Sequence, residues 1–363
     1  MPPEATAIIN ATCLVGGELE PLRDSVIVLA GEAIRAVGSA ADVEPPPGAV
    51  VVDARGLTLV PGFIDAHVHI GLANPGAVVA GGVTTVRDLG WPPARIWPLV
   101  QRSQSPTFEG PSIVAAGQIL TAPGGYPARA GWAPEATALE IDGPRSAREA
   151  VRRTAEAGAC AIKVALDPTA GPTLESRVLR TIVDAAHERG LGVAAHVSGL
   201  DQLEVALACE VDELAHMLLS RQTIPRRMIE RMVSQEMRIV TTLATFFGRR
   251  RRIAVSNLRG FVRAGGRVVY GTDLGNAGPR PGIDGREVTG MLAAGMAPRD
   301  VLMSATVEAA EWTGVARAGS IEEGNVADIV AVEGDPLRDA RAITNVRHVW
   351  RKGRRVTTGR ARP

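Results

Sequence analysis

At 363 residues the chain can bury one large domain or two ordinary ones. It is 45% apolar and 22% charged, as soluble globular proteins are, and 40 Lys+Arg against 39 Asp+Glu give a net charge of +1, too little for a global field that attracts nucleic acid. No stretch approaches the roughly 20 uninterrupted apolar residues of a membrane span.

The N-terminus, MPPEATAIIN, has no basic region leading into an apolar run, so no signal peptide is expected. Cys13, Cys160 and Cys209 are an odd set without CxxC spacing, which argues against a disulfide framework or a cysteine zinc site and suits a reducing cytoplasm. A soluble cytoplasmic protein is the expectation.

The first sixty residues read as short strands joined by turns: AIINATCLV, DSVIVLAG, AIRAVG and AVVVDARGLTLV. Apolar β-type runs then alternate with helical stretches. The runs are FIDAHVHI, VTTVRDL, SIVAAGQIL, CAIKVAL, GVAAHV, VDELAHM, RIVTTLA and VVYGTD. Among the helical stretches are SAREAVRRTAEAG, LESRVLRTIVDAAHERG, LDQLEVALAC and PRRMIERMVSQ, with apolar residues at i, i+3/i+4 spacing. Eight such strands predict an α/β fold, a (β/α)8 TIM barrel over residues 59–315. The closing segments NVADIVAVEG and ITNVRHVWRKGRRV are again β-like. They are expected to join the opening strands in a small discontinuous β-sandwich of residues 1–58 and 316–363. An open doubly wound sheet is the competing fold, but it needs a glycine-rich phosphate turn after an early strand, where this chain has HxH.

Six residues gather at the ends of these runs: His67, His69, Lys163, His196, His216 and Asp273. Residues two apart in a strand share a side, so His67 and His69 project together near the C-terminal end of the first barrel strand. Four of the chain's six histidines fall at such positions. They offer imidazole and oxygen ligands for two divalent metals in one pocket. His187, in the helix DAAHERG, and His348, in the last β-run, read as structural.

Lys163 is the sharpest signal. Only two of the 40 Lys+Arg residues are lysines, Lys163 and Lys352, yet one stands inside the apolar run AIKVAL. Burial would lower its pKa and make the amine nucleophilic. A neutral amine can take up carbon dioxide as a carbamate whose two oxygens would bridge two metals. A salt bridge to a nearby acid and a Schiff-base lysine are the alternatives.

These residues and their surroundings resemble the amidohydrolase superfamily of metal-dependent hydrolases along essentially the whole chain. The resemblance is carried by GAVVVDARGLTLVPGFIDAHVH, GGVTTVRDLG, AHVSG with DELAH, GTDLG and GSIEEGNVADIVAVEGDP. It implies that His67, His69 and Asp273 bind one metal and His196 and His216 the second, with a carboxylated Lys163 bridging them. The ending looks like the imidazolonepropionase-like and Xaa-Pro dipeptidase (prolidase)-like branch, and the lysine favours its binuclear members. The activity implied is hydrolysis of an amide C–N bond, in a dipeptide or N-acyl amino acid, by a metal-bridging hydroxide. Asp273 would shuttle the proton. Zinc suits the N/O ligand set best, with manganese and cobalt as alternatives. A homo-oligomer acting on a small-molecule substrate is expected.

The chain departs from the branch at TAPGGYPARAG, where Tyr126 stands in place of an expected histidine. Tyr126 either donates a hydrogen bond to a substrate carbonyl or closes a loop. The run Arg249 to Arg252 follows the seventh strand. Arg249 and Arg250 either recognise a substrate carboxylate or open the next helix in solvent. The same site would also serve a lactone, carboxylic ester or phosphotriester, and a catalytically inactive scaffold is a third reading.

Overall fold

The structure is a computed structural model that describes residues 5–357. Its barrel begins with Phe63–Val68, Val83–Asp88 and Ser112–Ala115, which pair in parallel. It continues through Ile162–Leu166, Val193–Val197, Glu213–Leu214, Arg238–Val240 and Val268–Val269, again in parallel order. Backbone hydrogen bonds close both seams. Cys160 N donates to Ala115 O (3.0 Å), joining the third strand to the fourth. Ala66 N donates to Tyr270 O (3.1 Å), Asp273 N to His67 O (2.7 Å) and His69 N to Leu274 O (2.7 Å), joining the eighth to the first. The closed ring decides for the barrel over the open sheet.

The helices follow the predicted periodicity because their apolar stripe must face the barrel. Ser176–His187 buries Val178, Leu179, Ile182, Val183, Ala185 and Ala186, each larger aliphatic contributing on the order of 2 kcal/mol. The ends of the four helices match the expected ones to within three residues, as in Pro144–Glu156 and Leu200–Ala208.

Two predicted strands are broken by left-handed glycines. SIVAAGQIL divides into Ser112–Ala115 and Ile119–Thr121 at Gly117 (φ 79°). AVVVDARGLTLV divides into Val50–Asp53 and Leu57–Pro61 at Gly56 (φ 80°). The sixth strand is shorter than its apolar run, because the chain leaves the sheet after Leu214.

The two ends of the chain share one eight-stranded, mostly antiparallel sheet. Thr6–Val15 pairs antiparallel with Glu20–Ala30, and its other edge is shared by Val50–Asp53 and Leu57–Pro61, both parallel. Ile329–Glu333 then pairs antiparallel with Leu57–Pro61 and with Val346–Arg351. Trp350 and Ile8, Ile27, Leu59 and Ile329 form the fully buried core of this unit. Leu57–Pro61 leads directly into the first barrel strand, so the sheet sets the entry of the chain into the barrel. No helix among the described residues is long and apolar enough to cross a membrane.

Candidate metal centre and active site

All six residues of the predicted constellation, with Tyr126 and Arg250, line one cavity of about 540 Å³ at the C-terminal mouth of the barrel. His67 ends the inward face of the first strand, and His69 follows it immediately. Lys163 and His196 lie within the fourth and fifth strands, while His216 and Asp273 come just past the sixth and eighth. Asp273 takes φ 59°, a left-handed conformation that is costly outside glycine and recurs where a site constrains the backbone. Gly271 before it is forced by space: a Cβ there would lie 2.3 Å from Val240 and 3.0 Å from the His67 amide.

Each imidazole is held from behind, which fixes its tautomer. His67 Nδ1 donates to Ala215 O (2.5 Å), His69 Nδ1 to Gly90 O (3.1 Å) and His216 Nδ1 to Met217 O (2.9 Å). A carbonyl can only accept, so these rings turn a bare Nε2 lone pair inward. His196 is reversed: its Nε2 faces Asp167 Oδ2 at 3.4 Å and its Nδ1 points inward. The His196 hydrogen bond holds the Asp167 carboxyl well below the ordinary carboxylate range, so Asp167 is the acceptor.

The inward atoms converge without protons between them. His67 Nε2 and His69 Nε2 stand 3.3 and 3.4 Å from Asp273 Oδ1. The three ligand atoms lie within 4.8 Å of one another. His216 Nε2 and His196 Nδ1 are 2.7 Å apart, two lone pairs facing each other. His67 Nε2, Lys163 Nζ and Asp273 Oδ1 are buried with no hydrogen-bond partner. Unpartnered buried polar atoms are costly, and opposed lone pairs need a cation. His67, His69 and Asp273 could hold a divalent ion, and His196 and His216 offer two further nitrogen donors beside them. The outer partners Ala215, Gly90, Met217 and Asp167 orient ligands as second contacts do in metal sites.

Lys163 sits between them, 2% exposed. Burial pulls its ammonium down to about 7, against the opposing pull of Asp273 and Glu213. Among the described residues no carboxylate lies within ion-pair distance of Nζ, which removes the salt-bridge alternative. The nearby charges pair with each other instead: Arg87 and Glu213, both buried, meet at 2.7 Å and Trp312 donates to the same carboxylate. Burial also drives the His67 and His216 imidazoles well below 6.5, keeping them neutral and ligand-ready. For Asp273 burial works upward, but the adjacent His69 and the nearby His216 and Lys163 hold its carboxyl below the usual value.

The Tyr126 ring stacks on His196 (4.7 Å between centroids) and its oxygen accepts from Trp132 Nε1 at 3.0 Å. Burial, aided by the Asp273 charge, lifts the phenol to about 12, so its proton stays available for donation. Trp132 also packs on His69, 4.6 Å between centroids. The arginine run divides by role. Arg250 lines the cavity, Arg251 hydrogen-bonds to Leu243 O and Arg286 O, and Arg249 is exposed outside the cavity. Helix Gly248–Arg263 begins on this run, as the solvated-helix alternative expected. Arg249 therefore does not join Arg250. Arg221, past the sixth strand, does. His187 pairs with Asp212 (2.9 Å) and His348 accepts from Arg355, both away from the cavity.

Asp167, Trp132 and Arg221 are absent from the sequence reading. Asp167 had a signal, since it directly follows the lysine strand in IKVALD. Trp132 and Arg221 had none, because only the folded loops bring them to the mouth.

The model of the amidohydrolase family matches residues 58–356. The chain belongs to the amidohydrolase family. It is thus a hydrolase, and its relatives set the context. Ochratoxinase from Aspergillus niger is 26% identical, over 96% of this amidohydrolase and 86% of the relative. A prolidase solved with N-methylphosphonate-L-proline superposes with a TM-score of 0.80 at 26% identity, covering 97% of this chain and 99% of that one. An Xaa-Pro dipeptidase with methionine bound in its active site shares the fold of this amidohydrolase at a TM-score of 0.81 and 23% identity, with 97% and 99% coverage.

Proposed function

We propose that this amidohydrolase is a binuclear metal-dependent hydrolase that cleaves the C–N bond of a dipeptide or N-acyl amino acid. The observation that carries the reading is the convergence of four bare imidazole lone pairs, the Asp273 carboxylate and the unpartnered Lys163 amine on one cavity. The ochratoxinase and prolidase relatives support an amide-type bond. Two divalent ions, zinc by the mixed N/O donors, would polarise the scissile carbonyl and bring the pKa of a shared water near neutrality.

The chain's own residues do the rest. The neutral Lys163 Nζ attacks carbon dioxide, forms an N–C bond and loses a proton, and the resulting carbamate supplies the oxygens between the two histidine pairs. The Asp273 carboxylate accepts a proton from water and returns it to the leaving amine nitrogen. Tyr126 Oη, which accepts from Trp132, donates a hydrogen bond to the substrate carbonyl. Arg221 and Arg250 meet the substrate carboxylate at the mouth, and neither has a carboxylate partner among the described residues. Trp132, Phe246 and Phe247 give the same mouth apolar walls for the rest of the substrate.

Hydrolysis by metal-reconstituted protein across Xaa-Pro and other dipeptides, N-acyl amino acids, their C-terminal amides, lactones and aryl esters tests this reading. Asp273→Asn protein is the blank. Dipeptides or N-acyl amino acids with a free carboxylate are the expected substrates, and Arg221→Ala should raise their KM about tenfold with kcat little changed. Activity confined to lactones or esters would overturn the amide reading.

A further inference from the structure

A second groove, of about 1020 Å³, shares no lining residue with the catalytic cavity. It lies where the terminal sheet meets the helix Pro75–Ala80 and the loop Pro106–Gly110. Four arginines line it: Arg347, Arg351, Arg354 and Arg355. The concentration is unusual for a chain whose net charge is only +1.

The four have different surroundings. Arg347 is matched by Glu333. Arg351 forms the floor. It is 2% exposed, and its guanidinium donates to Ser103 O, to Ser105 O (2.8 Å) and to Ser112 Oγ (3.0 Å). These are neutral groups, and the Ser103 and Ser105 carbonyls lie at the end of the helix Pro93–Ser103, so Arg351 offsets that helix's dipole without an ion-pair partner. Its Nε has no partner. Arg355 donates to the imidazole of His348, and Arg354 has no acidic partner among the described residues. Glu109 is the one carboxylate on the lining. On the lining, three arginines without an ion-pair partner face a single acid, while Asp328 and Glu32 act on Arg351 from outside the lining.

An edge strand such as Arg354–Arg355 is often charged simply to block pairing with other chains. That role requires neither a concave wall nor a buried arginine beneath it. Planar guanidinium forks arranged around a cleft match oxyanions bidentately. We infer that this groove is a binding site for a small, multiply charged oxyanion, a phosphate-bearing or polycarboxylate molecule, separate from the hydrolytic site. Arg351 supplies a buried positive charge below while Arg354 and Arg355 contact the anion from the edge.

Isothermal titration of the full chain with inorganic pyrophosphate and, separately, with citrate tests the assignment and tells the two sources apart. Saturable one-to-one binding of at least one of them is expected. The double variant Arg354→Ala/Arg355→Ala changes only exposed side chains and should weaken that binding tenfold or more while hydrolysis is unchanged. Arg226→Ala, an exposed arginine on a distant helix, should bind as wild type does. The assignment is overturned if neither anion saturates at millimolar concentration. It is equally overturned if the double variant binds like wild type, if Arg226→Ala loses as much, or if only a polyanion such as heparin binds.

Discussion

At the scale of single residues, the site is organised by what each side chain leaves unsatisfied. Asp273 is the point where geometry and chemistry meet: it faces both His67 and His69 and is placed by a left-handed backbone. Asp273→Asn keeps the shape and loses the proton acceptor. The fold, followed by circular dichroism, should stay intact while turnover falls 10²–10⁴-fold, roughly the worth of a positioned general base; unchanged turnover would remove Asp273 from the proton transfer. The candidate ligand positions were legible in the sequence because barrel sites gather at strand ends, and HxH, IKV, AHV, LAH and GTD all stand there and line one cavity. Asp167 was missed because an aspartate in a turn has many uses. Its hydrogen bond to His196 exists only once the fourth and fifth strands pair. The arginine run was half legible: helical geometry sends Arg250 to the cavity and Arg249 to solvent, and sequence adjacency cannot separate residues that a helix rotates apart.

Among the elements, strand and helix identities followed from periodicity, whereas strand ends did not. The sixth and eighth strands end early, where the chain leaves the ladder ahead of His216 and Asp273, a departure that no apolar run encodes. Helix Gly285–Ala293 carries a separate consequence. Its Glu287 is fully buried and accepts from Ala244 N at 2.6 Å, and burial raises its carboxyl from 4.5 to about 7. Below about pH 4.5 folded and unfolded chains both hold this proton, and stability is unaffected. Between there and about pH 7 only the folded chain holds it, so stability falls as pH rises; above that the full cost, about 3 kcal/mol, is in place. Glu287→Gln cannot ionise. Its stability relative to wild type, from urea unfolding, should be constant below pH 4.5, improve between pH 4.5 and 7 and level off above. A pH-independent difference would contradict the assignment.

For the molecule as a whole, the barrel and the terminal sheet are joined through Leu57–Pro61, which pairs with Ile329–Glu333 from the other end of the chain. The two ends were recognisably β-like in sequence, but their union in one sheet rests on pairings some 270 residues apart that no local pattern states. Trp350, fully buried in that sheet, should cost about 3–5 kcal/mol when replaced by alanine. The loss should appear as one cooperative transition in which barrel and sheet unfold together. Retention of turnover after the sheet has melted would show the two to be independent.

The central claim is that Lys163 completes a two-metal centre, and metal content measured beside turnover tests it most directly. Wild-type protein reconstituted with zinc in the presence of bicarbonate should hold two ions per chain. Lys163→Ala should hold about one and lose at least a hundredfold in turnover. Two ions and full turnover in Lys163→Ala, or full wild-type turnover with a single ion, would contradict the account.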